Sequence, residues 1–239
     1  TNPCVEIGMF PQLDGQSGWQ GCNLTEINGG KCVTKEDFFL ACRAGAILGT
    51  LQAGYTDFKF LPDTTKDIFD REALLGVSIT GWMNNPDILF NAEILEEGAN
   101  IVKQVNREVA EVIGINAAAR TTCVKPSGNA SVLLQTASGI HAEHSSMYIR
   151  NVQMNKESEV TQAIQNRNPH MVEESVWSSG GTDVVVSFPI LPKEGSMLKD
   201  DLIGVRHLEK VKLAQEHWVN AGTNEELCAD KGIRHNVSN

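Results

Sequence analysis

Within its first six residues the chain places an amide, a thiol and a carboxylate at alternate positions, Asn2, Cys4 and Glu6. On an extended segment alternate residues share one face, so the three groups would meet a single ligand together. The set offers a hydrogen-bonding group, a nucleophile or one-electron centre, and a base. A glutamate beside a ligand hydroxyl is a plausible general base, its pKa raised by desolvation. The plainer reading is a small buried thiol between two polar residues. Against it, a buried Asn and Glu each need partners, and an unpaired buried carboxylate costs several kcal/mol.

A second constellation spans 123–131, Cys-Val-Lys-Pro-Ser-Gly-Asn-Ala-Ser. A strand stopped by Pro126 and turning through Ser127 and Gly128 into a helix would aim unpaired N–H groups at one point. That is an anion site, with Ser127, Asn129 and Ser131 adding donors around Pro126, Gly128 and Ala130. An ordinary strand-to-helix turn with a polar cap fits the same residues. The P-loop pattern is missing, so a nucleotide triphosphatase is not indicated. Cys22 follows a Gly-, Gln- and Ser-rich loop at 11–21 and reads as a buried small residue or one half of a dithiol. Cys32, Cys42, Cys123 and Cys228 read as core. His141 and His144 flank Glu143 without further ligands at metal spacing, so Ser138–His144 reads as a loop lining a site. Trp82, Trp177 and Trp218 read as core or interface.

The elements that must hold these groups are legible in outline. Thr34 and Asp37 predict a capped helix over about 35–53, and 74–80 reads as a buried strand. Residues 91–113 predict a helix with Ile94, Ile101, Val105, Val109 and Val112 on one stripe. Short strands follow at 121–125, 148–153 and 183–188, the last ended by Pro189, with helices at about 157–166 and 200–220. The alternation predicts an α/β class, a largely parallel sheet and, with no repeat or linker, one continuous domain.

Composition narrows the function. With 239 residues, 41% hydrophobic and 21% charged, the chain can build a sizeable core. A formal net charge of -10 argues against general nucleic-acid binding. No apolar run is long enough for a membrane span, no secretory signal is visible, and the six scattered cysteines suit a reducing, cytoplasmic setting. The first residues open on the reactive motif and 235–239 reads as the start of a strand, so both ends are expected to be cut from a longer chain.

Together, Asn-Pro-Cys-x-Glu-Ile at 2–7, Cys-Asn-Leu at 22–24 and Cys-Val-Lys-Pro-Ser-Gly at 123–128 resemble ribonucleotide reductases. The forms look like the class II, adenosylcobalamin-dependent branch, closest to its ribonucleoside-triphosphate reductases. Residues 74–81, 137–141 and 235–239 add to the likeness. The resemblance implies the second half of a ten-stranded α/β barrel, with the finger loop at its N-terminus. It implies Cys4 as the thiyl radical residue, Asn2 and Glu6 on the ribose hydroxyls, and Cys22 as one of the reducing pair. Residues 126–131 would hold the substrate phosphates, with Gly139 and His141 a weaker cofactor contact. The implied reaction replaces the ribose 2′-OH by hydrogen, with two thiols ending as a disulfide that a thioredoxin-like reductant restores.

The chain departs from the family in three ways. The other reducing cysteine and the recharging C-terminal pair have no counterpart here. The first barrel half and effector region are also missing, and Asn129 stands where the family often has Thr. The resemblance therefore implies a piece that turns over only with a partner chain carrying the N-terminal half. With only Tyr55 and Tyr148, a stacked tyrosine relay of the class I type is not apparent. Class I and a non-catalytic nucleotide- or partner-binding fragment are the alternatives.

Overall fold

The structure is a computed structural model that describes residues 1–2 and 4–230. Pro3 of the first motif and the predicted strand start at 235–239 lie outside the described residues. The chain divides into two compact units rather than the single domain expected. One is Thr1–Glu143 with the chain from Lys193 onward, and the other is His144–Pro192.

In the first unit the loop at 11–21 folds into a hairpin, β1 (Gln12–Leu13) with β2 (Gln16–Ser17). Asp14 and Gly15 both take positive φ, the conformation a two-residue hairpin turn demands. Strand β3 (Asn23–Asn28) leads through α1 (Lys35–Ala53) and α2 (Asp63–Glu72) to β4 (Leu75–Thr80), which pairs parallel with β3. The short α3 (Pro86–Leu89), the long α4 (Ala92–Ile113) and α5 (Gly128–Leu134) follow. Segment 120–125 extends β4 on its other side: Leu75 N–H donates to Arg120 O and Cys123 N–H to Val77 O, with a parallel bridge between Val77 and Thr122.

Helix α1 starts where predicted because Thr34 and Asp37 cap it reciprocally, at 3.1 Å and 2.9 Å. It lies on the back of the sheet, with Gly45 against Val77 and Gly49 against Leu75. Helix α4 packs on α1 through Leu95, Gly98, Ala99, Val102 and Val105. Val105 of the predicted stripe is buried in this seam and Ile94, Ile101 and Val109 pack against the same core, while Val112 is 84% exposed. Val77 and Ile79 fill the core behind the sheet, each contributing about 1.5–3 kcal/mol by burial.

At the N-terminal end of the strands a buried carboxylate ties four segments together. Glu72 accepts from Gln20 (3.1 Å), Arg71 (3.1 Å), Arg120 (3.4 Å) and the Ala229 N–H (3.2 Å). Removing one partner of a buried pair costs about 3–5 kcal/mol, so this cluster fixes the strands from below.

The second unit holds β5 (Tyr148–Asn155), α6 (Glu159–Arg167), β6 (Val172–Glu174) and β7 (Asp183–Ile190), in the sheet order β5-β7-β6. Both pairings are antiparallel, which corrects the expectation of a largely parallel sheet. The alternating exposure along β5 explains it, since antiparallel sheets tolerate a solvated face. Strand β7 runs through Pro189 rather than ending there, because β6 reaches only Val184–Val186 and leaves that edge without a ladder to break. Helix α7 (Val205–Ala214) belongs to the first unit and continues as a wider turn over Gln215–Asn220.

The α/β class holds. Among the described residues the sheets have two, two and three strands and close no barrel, so the ten-stranded architecture is not seen in this chain.

Candidate functional site

The face of the β3–β4 sheet turned away from α1 carries the chemistry. Gly76, Ser78 and Thr80 of β4 alternate with the core residues Leu75, Val77 and Ile79. Beside them lie Leu24, Glu26 and Asn28 of β3 and, by the same alternation, Cys123, Lys125 and Ser127. Gly76 makes room at the centre. A Cβ there would meet Leu24 at 2.5 Å and the sulfurs of both Cys22 and Cys123 at 3.0 Å. Two thiols therefore converge over one strand position that has no side chain.

Glu6 joins them. It is 2% exposed, and its Oε2 has no hydrogen-bond partner among the described residues. Its charge is felt at both sulfurs. Burial first, then Cys123 and Glu6, push the Cys22 thiol well above its ordinary range, while Arg120 pulls it back. Burial, then Glu6, push the Cys123 thiol up as well, against the pull of Lys125. Both sulfurs are held as thiols, the form that donates hydrogen, rather than as nucleophilic thiolates.

Cys4 behaves differently. It is exposed, not enclosed beside the Pro-Ser-Gly turn as expected. The opening motif is also not extended. Val5 N–H donates to Asn2 O at 3.0 Å and Ile7 N–H to Asn2 Oδ1 at 3.2 Å, closing a turn that separates Cys4 from Glu6. An Asn side chain that captures a backbone N–H competes with strand structure. Val5 sits at φ 65°, a left-handed conformation that costs a β-branched residue about 1–3 kcal/mol. The turn thus presents the Cys4 sulfur outward on strained backbone. We expect iodoacetamide at mildly alkaline pH to label Cys4 in the native chain, and Cys22 and Cys123 only after denaturation. Peptide mass mapping reads this, and labelling of all three at one rate would contradict the raised thiols of the inner pair.

The predicted turn from strand into helix forms, with α5 opening at Gly128. Ser127 is buried and engaged, its Oγ 2.5 Å from Thr80 Oγ1 and accepting from Gly139 N–H at 3.0 Å. Ser131 Oγ donates to Gly128 O at 2.9 Å. The hydroxyls brace the turn and the Ala130 N–H donates to Ser127 O at 2.8 Å, while Gly128 and Asn129 are exposed. Gly128 takes φ +40° with open space around it. Gly139 takes φ +49°, and a Cβ there would press on Lys125 O at 3.0 Å. Its N–H reaches Thr80 and Ser127, so it locks the 138–143 loop onto the strand ends. His141 is exposed with Nδ1 3.0 Å from Ser138 O.

Three participants escaped the sequence reading. Cys123 reads as core in sequence, Lys125 stands in the 123–131 motif without a role of its own, and Glu26 carries no local signal, although it meets Lys125 at 2.6 Å. The period-two run Cys123, Lys125, Ser127 was the available signal. Besides Glu6 Oε2, the buried acceptors Glu26 Oε1, Asn28 Oδ1 and Thr136 Oγ1 on or beside this face have no partner among the described residues. Buried polar atoms are nearly always bonded, so a face with four such atoms suits a ligand rich in hydroxyls. A separate surface recess of about 570 Å³, lined by Tyr55, Phe58, Lys59 and Lys66 among others, shares no residue with it. No group of three or more metal-ligating side chains occurs among the described residues, and no helix is long and apolar enough to cross a membrane.

Over its whole length the chain superposes on 34% of a B12-dependent (class II) ribonucleotide reductase, with a TM-score of 0.68 at 17% identity. It therefore has the α/β fold of that part of the enzyme. In sequence it is 25% identical over 225 residues, 92% of its length, to the probable adenosylcobalamin-dependent ribonucleoside-triphosphate reductase of Dictyostelium discoideum. It is 23% identical over 226 residues to the adenosylcobalamin-dependent ribonucleoside-triphosphate reductase of Euglena gracilis. It spans 28% and 29% of those two relatives. No protein-family model matches the chain.

Proposed function

We propose that this chain is the part of an adenosylcobalamin-dependent ribonucleotide reductase that carries the radical thiol, the base and one reducing thiol. The observation that carries the reading is Glu6, a buried carboxylate with one oxygen unspent, whose charge helps raise the buried Cys123 thiol and the half-buried Cys22 thiol. Both relatives are named for triphosphates, so the substrate class is a ribonucleoside triphosphate.

In this reading the rest of the barrel turns Cys4 back toward Glu6, and Cys4, as thiyl, takes the hydrogen from C3′ and returns one at the end. Asn2 and Glu6 hold the ribose hydroxyls. Glu6 accepts the 3′-OH proton while the 2′-OH, protonated by one thiol of the reducing pair, leaves as water. Cys22 supplies hydrogen and an electron and ends in a disulfide with a second thiol, which a thioredoxin-like dithiol reduces again. Residues 126–131 receive the phosphates through the backbone of the turn and Asn129. When bound, the cofactor supplies the radical that starts the cycle. An exposed thiol on an outward turn fits activation from outside the chain. Gly139 and His141, engaged within their own loop, are not taken to bind cobalamin.

The chain spans under a third of its named relatives, and in this reading the rest of the barrel comes from the N-terminal half of a longer protein or from a partner chain. That half would enclose Cys4 and close the sheets around it. The test is deoxynucleotide formation by the complete enzyme, given ribonucleoside triphosphate, a dithiol and adenosylcobalamin. Product that depends on the cobalamin supports the reading. Product that instead requires a separate metal-containing subunit would move the chain to class I, and nucleotide binding without turnover would leave a binding fragment.

A further inference from the structure

One ion pair on the inner face has no part in the chemistry above. Lys125 Nζ lies 2.6 Å from Glu26 Oε2, with the side chains only 15% and 12% exposed. The same ammonium donates to Pro126 O at 3.2 Å, which places it at the Pro-Ser-Gly turn itself. Two of its three donors are spent in these contacts. The carboxylate is half used, since Glu26 Oε1 is buried without a partner among the described residues. Burial pushes the Glu26 carboxyl up, against the pull of Lys125. A purely structural buried pair needs its remaining lone pairs and protons satisfied to offset desolvation, and this one leaves both ends open. Arg120 is committed elsewhere, to Glu72 and to Asp230 O.

We infer that Lys125 is a phosphate-binding residue of the nucleotide site and that Glu26 is its positioning residue, aiming the ammonium at the Pro-Ser-Gly turn. The inference rests on the nucleotide reading above and deepens it. The turn offers N–H groups and one amide but no charge of its own, and a triphosphate brings several negative charges. The third N–H of Lys125 supplies a charge-assisted bond without breaking the pair. Glu26 has a cost as well as a use, because its own negative charge faces the phosphate.

The test compares nucleotide with nucleoside binding in the complete enzyme, using ATP and adenosine as probes in equilibrium dialysis. Lys125→Met is expected to weaken ATP binding about tenfold or more, the weight of one charge-assisted bond, and to leave adenosine unchanged. Glu26→Gln keeps an acceptor for Lys125 but removes the charge, so ATP is expected to bind several-fold tighter with adenosine again unchanged. Lys125→Arg is expected to retain most of the ATP affinity. Equal losses for ATP and adenosine, or an unchanged ATP affinity in Lys125→Met, would show the pair to be structural and overturn the inference with the reductase reading intact. A wild-type enzyme that does not prefer ATP to adenosine would overturn both.

Discussion

Cys4→Ser is expected to lower turnover of the complete reductase by about a thousandfold or more, the scale seen when a residue that forms the reactive intermediate is lost. Serine keeps the shape and polarity of the side chain, but its O–H bond is far too strong to yield a radical under the same conditions. The site tolerates the change structurally, because Cys4 is exposed and the turn is held by Asn2, whose carbonyl and side-chain oxygens accept from Val5 and Ile7. Nucleotide affinity and the melting temperature should therefore stay at wild-type values. Cys42→Ser makes the contrast. Its sulfur is fully buried in the core, so the swap should cost stability and spare the chemistry. Turnover that survives Cys4→Ser would remove the thiyl step and leave a nucleotide-binding part without catalysis.

The elements most legible in the sequence are those whose local signals and packing agree. Thr34 and Asp37 name the start of α1 because capping is a short-range exchange of two hydrogen bonds. Strand β4 stands out because both its faces are buried, so no polar alternation interrupts it. The opening motif was legible as chemistry and misleading as geometry. Alternate spacing suggests a shared face only on extended backbone, and Asn2 bends the segment so that Cys4 and Glu6 part. The direction of β7 was hidden because an antiparallel partner depends on what β5 leaves exposed, not on the run Val184-Val185-Val186 itself. Ser127 reads as a ligand donor in sequence, but Thr80 and Gly139 claim its hydroxyl. The meeting of Glu26 with Lys125, and of Cys22 with Cys123 over Gly76, follows from strand register, which no local pattern in the chain states.

Glu6→Gln is expected to lower turnover by about a hundred- to ten-thousandfold, the contribution of a positioned general base. The amide can still accept a hydrogen bond from a ribose hydroxyl, so substrate binding should change little while the proton-transfer step fails. The same substitution carries a second signature that does not depend on activity. Glu6 is one of the groups holding the Cys22 and Cys123 thiols above their ordinary range, with burial the larger cause for each. Removing a negative charge beside a thiol stabilises its thiolate, so both sulfurs should titrate at lower pH in Glu6→Gln, while burial keeps them above an exposed cysteine. Ultraviolet thiolate absorbance of the folded protein, compared between wild type and variant, reads that shift. A loss of turnover with no movement of the thiol titration would mean that Glu6 lies too far from the sulfurs to act on the sugar they face, and the base would have to be sought elsewhere on the inner face. Movement of the titration with turnover intact would keep the geometry and take the proton transfer away from Glu6.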